Sequence, residues 1–187
     1  MKTILVCNQK GGVGKSLIAD EIAFSFERTG TPVNFYDLDS QGGTLHKTHE
    51  VKGAEVAVVD TPGALQEALS DWLKEADVVV IPTRTTSRDI EPLMCMRNAV
   101  KKSKNAKVIY VLNGWNRFKA SRDFLEWFEG TCKGADVVRL PQSEQFVQAG
   151  ADSKSVVEYA RRGRAVDATL ALVNAVRTAA GFAPEGS

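Results

Sequence analysis

The sequence predicts an α/β domain, a single mostly parallel twisted sheet with helices on both faces, on three observations. Six short runs, at 3–7, 33–37, 56–60, 78–81, 108–112 and 137–140, are β-branched and apolar at successive positions. Strands buried on both faces of a parallel sheet must read this way. Longer amphipathic segments alternate with them, and no internal repeat or Pro-, Gly- or Ser-rich linker divides the 187 residues. One domain over 1–187 follows, with right-handed crossovers and ligands beyond the carboxyl ends of the strands.

In chain order, the first strand leads into a glycine turn and a helix at about 15–29. The second ends at Asp37, and residues 39–55 after it are polar, rich in turn residues and without an apolar period. That crossover is expected to be a minimal loop or a single short turn of helix. Helices are expected at about 64–75, 89–103 and 121–129 between the later strands, and a long Ala-rich one at about 165–180.

Composition excludes several classes. With 43% hydrophobic and 25% charged residues the chain is neither disordered nor collagen-like, and its length can bury about 70% of the unfolded surface. Cys7, Cys95 and Cys132 show no Cys-x-x-Cys spacing and leave one unpaired, which suits a reducing, cytoplasmic setting without a disulfide framework or zinc ribbon. The first apolar run is too short for a signal peptide, and no stretch approaches the roughly 18 apolar residues of a membrane span. The formal net charge of +1 hides an asymmetry: residues 1–100 carry −4 and residues 101–187 carry +5. Such a split marks either an anionic partner or scattered solvated charges.

The strongest signal follows the first strand. Gln9-Lys10-Gly11-Gly12-Val13-Gly14-Lys15-Ser16-Leu17 has the strand, glycine turn and helix start that a phosphate-binding loop requires. Backbone N–H groups of such a loop point at phosphate oxygens, Lys15 reaches the β- and γ-phosphates, and the Ser16 hydroxyl can ligate Mg²⁺. Gln9 stands where the general pattern has its first glycine, and a second lysine, Lys10, lies inside the loop.

The run from Lys10 to Ser16 resembles the deviant Walker A motif of the ParA/MinD family of ATPases, a subclass of P-loop NTPases. The resemblance makes Lys10 the signature lysine, reaching across a dimer interface to stabilise phosphoryl transfer on the other subunit. Tyr36-Asp37-Leu38-Asp39-Ser40-Gln41 is similar to the family's second acidic motif, with Ser40 in place of the usual proline. It implies that Asp37 lies near Mg²⁺ and its water shell, and that Asp39 orients or activates the attacking water. Val58-Val59-Asp60-Thr61-Pro62-Gly63 resembles Walker B and a switch loop, with Asp60 holding a Mg²⁺-bound water. Asn113 and Pro141 stand where family members contact the adenine base, and the absence of Asn-Lys-x-Asp favours ATP over GTP.

Family members commonly bind DNA non-specifically as ATP dimers, through phosphate contacts. Residues 101–164 carry +6. Arg117, Lys119 and Arg122 flank one expected helix start and Arg161, Arg162 and Arg164 precede the last helix, both near the carboxyl end of the sheet. These two clusters are the DNA candidates, with solvated edges as the alternative. Lys101, Lys102, Lys104 and Lys107 read as an ordinary helix C-terminus. His46 and His49 lack a third ligand nearby in sequence, so a metal site there is not expected. Trp115 could line the base pocket, while Trp72 and Trp127 read as core or helix-face residues. The C-terminal segment lacks the basic amphipathic end that MinD carries, so no membrane partner is expected. With no segment ahead of the first strand, no N-terminal helix-turn-helix domain is expected either.

The resemblance therefore implies a small ParA-type partition ATPase. It forms a homodimer with ATP, associates with the nucleoid in that state, and is stimulated by a centromere-binding ParB-like protein. The alternatives are an ATP switch that positions a protein cargo or assists conjugative transfer, and a dethiobiotin-synthetase-like ligase, which Lys10 and the short chain speak against.

Overall fold

Consecutive side chains of each strand point to opposite faces, and each face of this sheet meets its own set of helices. The computed structural model describes residues 1–63, 69–101 and 106–186. Its six strands are β1 (Lys2–Val6), β2 (Val33–Asp37), β3 (Val56–Asp60), β4 (Val78–Thr83), β5 (Lys107–Trp115) and β6 (Asp136–Pro141). They pair in parallel throughout, in the order β2-β3-β1-β4-β5-β6. The phosphate loop leaves the end of β1, between β3 and β4, where successive connections depart to opposite sides. That is the switch point at which an open α/β sheet leaves a crevice for a ligand.

The helices are α1 (Lys15–Arg28), α2 (Leu69–Glu75), α3 (Ile90–Val100), α4 (Lys119–Thr131), α5 (Glu144–Ala151), α6 (Val156–Tyr159) and α7 (Arg164–Ala180). Ile4 and Val6 pack with Ile18, Ile22 and Phe26 of α1 and Leu172 and Val176 of α7. Leu5 and Cys7 face the other way, into Leu73 of α2, Leu93 and Met96 of α3, and Phe124 and Phe128 of α4. Helices therefore cover both faces, and all six residues of the central β4 are buried.

Several boundaries differ from the sequence expectation. The first part of the expected helix at 64–75 falls on residues 64–68, outside the described residues, as do Lys102, Lys104 and the end of the 89–103 helix. Lys107 opens β5 rather than closing a helix, because residues 107–115 continue the parallel ladder with β4. Lys119 lies inside α4, not ahead of it. The short helices α5 and α6 were not expected. Ser143 and Ser155 cap them, accepting hydrogen bonds from Gln145 N (3.2 Å) and Val157 N (3.1 Å). Glu21 of α1 anchors α6 from below, accepting from Ser155 Oγ at 2.5 Å and Val156 N at 2.8 Å.

The connection from β2 to β3 contains no helix. It turns back beside β2 in one antiparallel bridge, with Phe35 and His49 exchanging 3.0 Å backbone bonds. Asp20, buried on α1, pins it by accepting from Leu45 N (2.8 Å) and His46 N (3.0 Å) and by contacting His46 Nδ1 (2.7 Å). The His46 ring stacks on Phe35, and its Nε2 lies 3.3 Å from Glu27. Burial opposes the charged form of His46, but Asp20 and then Glu27 outweigh it and the pKa is raised. A raised histidine pKa contributes stability that is full below the unfolded value of 6.5 and is lost as pH rises through the folded value. His46→Ala should therefore cost more thermal stability at about pH 5.5 than at about pH 8.5. Equal losses at both pH values in paired melting curves would remove this role.

The C-terminal segment straps α1 to α7. Glu185 accepts from Ser25 Oγ (2.8 Å) and from Arg28 Nε (2.7 Å) and Nη2 (2.9 Å). Arg177 donates to Ala183 O at 2.8 Å and lies 4.7 Å over the Phe26 ring. Among the described residues, no helix is long and apolar enough to cross a membrane.

Candidate nucleotide site

The glycines after β1 let the chain curl before α1 begins. Gly14, with φ of +96°, is the residue before the first helical turn, and a Cβ there would stand 2.0 Å from the Asn113 amide nitrogen. Neither the conformation nor the space admits another residue. A cleft of about 720 Å³ opens over the loop, lined by Gly11, Gly12, Gly14, Lys15, Ser16 and Leu17 on one side. Asp39 and residues 40–42 line its other side, with Pro62 and Gly63 at its end. Val13 is fully buried under the loop.

The acidic residues converge because β2 and β3 end in register, with Asp37 beside Asp60. Ser16 Oγ donates to Asp60 Oδ2 at 2.7 Å, and the second Asp60 oxygen is buried without a hydrogen-bond partner. Burial pushes the Asp60 carboxyl up to about 6, and the charges of Asp37 and Asp20 push the same way, against the Ser16 bond and the Lys15 charge. A hydroxyl, a buried carboxylate with an unsatisfied oxygen and a second carboxylate alongside suit Mg²⁺. That ion takes one or two carboxylates and completes its shell with waters and substrate phosphates. Among the described residues no group of three or more His, Cys, Asp or Glu is placed to hold a metal.

Asp37 is engaged locally, accepting from Thr44 Oγ1 (2.6 Å) and Asp39 N (3.0 Å). Asp39 Oδ1 accepts from Gln41 N at 3.0 Å, which orients its carboxylate at the cleft wall. Lys15 is buried at the loop and lines the cleft.

Lys10, Asn113 and Pro141 lie outside the lining of this cleft. Lys10 Nζ is 2.6 Å from Asp89 Oδ1 and 3.3 Å from Arg88 O. Asp89, 1% exposed, closes the 3₁₀ turn at Ser87–Asp89, and its other oxygen accepts from Thr86 Oγ1. Asn113 spends its amide on the loop, donating to Val13 O at 2.8 Å. Pro141 ends β6 beside Trp115, which is half-buried under the Arg139 guanidinium at 5.4 Å. The basic residues are exposed: Arg117, Lys119 and Arg122 at the start of α4, Arg161 and Arg162 between α6 and α7, and Arg164 opening α7. Lys119 pairs with Asp123 at 2.5 Å.

Sequence reasoning missed Asp89, Thr44 and Arg84, whose Nε donates to Gly12 O at 3.3 Å. For Asp89 a usable signal was the second loop lysine itself, since a cation beside a cationic loop needs an anionic partner when alone.

Comparison with known proteins agrees with this geometry. Two curated relatives match in part: Protein ParA of Rhizobium radiobacter is 28% identical over 115 residues (48% of this chain, 51% of the relative), and Protein IncC of Escherichia coli is 50% identical over 46 residues (25% and 13%). The chain thus spans about half the length of one and far less of the other. In fold it is similar to a Cyanothece McdA variant in complex with ATP (TM-score 0.77, 14% identity, 97% of each chain) and to the Aquifex aeolicus cell division protein MinD (0.75, 13%, 95% and 97%). A Borrelia burgdorferi plasmid partition protein bound to AMPPNP also superposes (0.66, 15%, 91% and 97%). Residues 4–156 match the family model described as the CobQ/CobB/MinD/ParA nucleotide binding domain, a span that includes the loop, the acidic strand ends and the Asp89 turn; the chain belongs to that family.

Proposed function

We propose that this chain is a dimerising partition ATPase that binds DNA non-specifically with ATP and hydrolyses it slowly until a ParB-like, centromere-binding partner stimulates it, in plasmid or chromosome segregation. The observation that carries this reading is that the cleft holds a complete phosphate loop with the acidic strand ends beside it, while Lys10 is kept outside. A loop lysine that serves another subunit's nucleotide needs no place in its own cleft.

The division of labour follows from the geometry. Lys15 and the loop N–H groups hold the β- and γ-phosphates. Ser16, Asp60 and Asp37 would hold Mg²⁺, which neutralises charge on the phosphate oxygens when bound. Asp39 at the cleft wall orients the attacking water and accepts its proton. Lys10 from the second copy stabilises the transferring phosphoryl group. Asn113 steadies the loop, and with Pro141 it would flank the base.

The basic clusters sit at the starts of α4 and α7, which pack on opposite faces of the sheet. Each cluster would form one rim of a DNA surface, and two copies would double it. Sedimentation with ATP, ADP or no nucleotide, with and without DNA, tests the reading. Dimers and salt-sensitive DNA binding should appear with ATP alone. ATP dimers that ignore DNA would favour positioning of a protein cargo, and no ATP-dependent change at all would sink the switch. Replacing Arg161, Arg162 and Arg164 together with Ala should weaken DNA binding and flatten its salt dependence by up to about three in log–log slope. An unchanged slope would exclude this cluster as the footprint.

A further inference from the structure

We propose that Arg84 is a positioning residue of the phosphate loop, one that fixes the outer side of the loop and sets a positive charge beside it. The inference rests on the nucleotide reading of that cleft.

Arg84 directly follows β4, and its exposed side chain reaches across to the loop, donating from Nε to Gly12 O at 3.3 Å. The guanidinium lies on Gly114 of β5. A Cβ at Gly114 would stand 2.4 Å from Arg84 Nη1 and 3.6 Å from Cζ, and Gly114 has φ of +74°. The β5–β6 register shifts between Asn113 and Trp115, so this irregular glycine opens the space that the guanidinium fills. Among the described residues no carboxylate pairs with Arg84. A guanidinium stays ionised, so its charge stands uncompensated beside the loop.

The tie to the loop has a directional consequence. In a trans peptide, the carbonyl of one residue and the N–H of the next point in opposite directions. Arg84 holds the Gly12 carbonyl and Asn113 the Val13 carbonyl, so two successive carbonyls are bound by side chains from the ends of β4 and β5. The N–H groups of Val13 and Gly14 are thereby turned the other way, which is the orientation a phosphate requires. Arg84 supplies this constraint together with a charge that favours a polyanion, two effects that alanine removes at once.

The test is titration of the full chain and its variants with a fluorescent ADP analogue and Mg²⁺, alongside melting of the nucleotide-free proteins. Arg84→Ala should weaken binding about tenfold, the scale of one charge-assisted hydrogen bond, with no change in melting temperature because the side chain is exposed. Arg84→Lys should recover part of the loss and Arg84→Gln less, and the deficit of Arg84→Ala should shrink as salt rises. Binding by Arg84→Ala equal to that of the parent would overturn the proposal. So would a binding loss matched by a fall in the melting temperature of the nucleotide-free protein, since that would make the residue merely structural. A parent chain that does not bind the analogue would overturn the nucleotide reading and this inference with it.

Discussion

Lys10→Ala should leave Mg-ADP binding by the single chain nearly intact, abolish ATP-dependent dimers, and lower turnover by a factor of about 10²–10³. The split follows from where Lys10 lies. Its ammonium is 2.6 Å from Asp89 and does not line its own cleft, so removing it takes nothing from the phosphate loop. In the proposed dimer the same ammonium is the charge that meets the other nucleotide, and its loss falls on association and on the transition state. Equilibrium nucleotide titration, sedimentation velocity with ATP and phosphate release measure the three quantities separately. Parent-level turnover in Lys10→Ala would show that the lysine does not act across subunits. A large fall in ADP affinity would place it in its own cleft after all.

Asp39→Ala is expected to differ in keeping the dimer, associating with ATP while hydrolysing it about 10²–10⁴ times more slowly. Asp39 is reached from β2 through a turn that Asp37 stabilises by accepting from Asp39 N, and its own Oδ1 accepts from Gln41 N. Alanine removes both the base and this second bond. Asp39→Asn keeps an oxygen for Gln41 N but not the basicity, so it should be as slow as alanine if water activation is the role. Fast hydrolysis in Asp39→Asn would reduce the residue to a turn former.

The parts of this structure that were legible in the sequence are those where one environment leaves one solution. A strand buried on both faces is apolar at successive positions, so the run at 78–81 and the runs beside it in the sheet were readable as strands. The loop from Gln9 to Ser16 was legible because phosphate chemistry constrains residue types at adjacent positions. α5 and α6 were not, since one has eight residues and the other four, too few for an apolar period to develop. The Ser155-x-x-Glu158 spacing, that of a capping box, was the available signal for α6. Asp89 lies 79 residues from Lys10, and Arg84 lies 72 from Gly12. Such pairings arise when β4 docks beside β1, and nothing local to either residue encodes them. Asn113 shows a third case: its amide donates to Val13 O, 100 residues away, a contact that exists only once β5 lies beside the loop.

The strap at Glu185 determines where this molecule can yield. The fourteen residues of α1, about 21 Å of rigid rod, run from the phosphate loop at Lys15 to Arg28, where Glu185 clamps it to α7. With its far end fastened and its apolar face keyed into the sheet, the rod cannot slide to absorb a change at the loop. At the carboxyl edge the loop instead meets the irregular 38–55 connection and, through Lys10, the turn around Asp89. Those two stretches carry Asp39 and the anchor of Lys10.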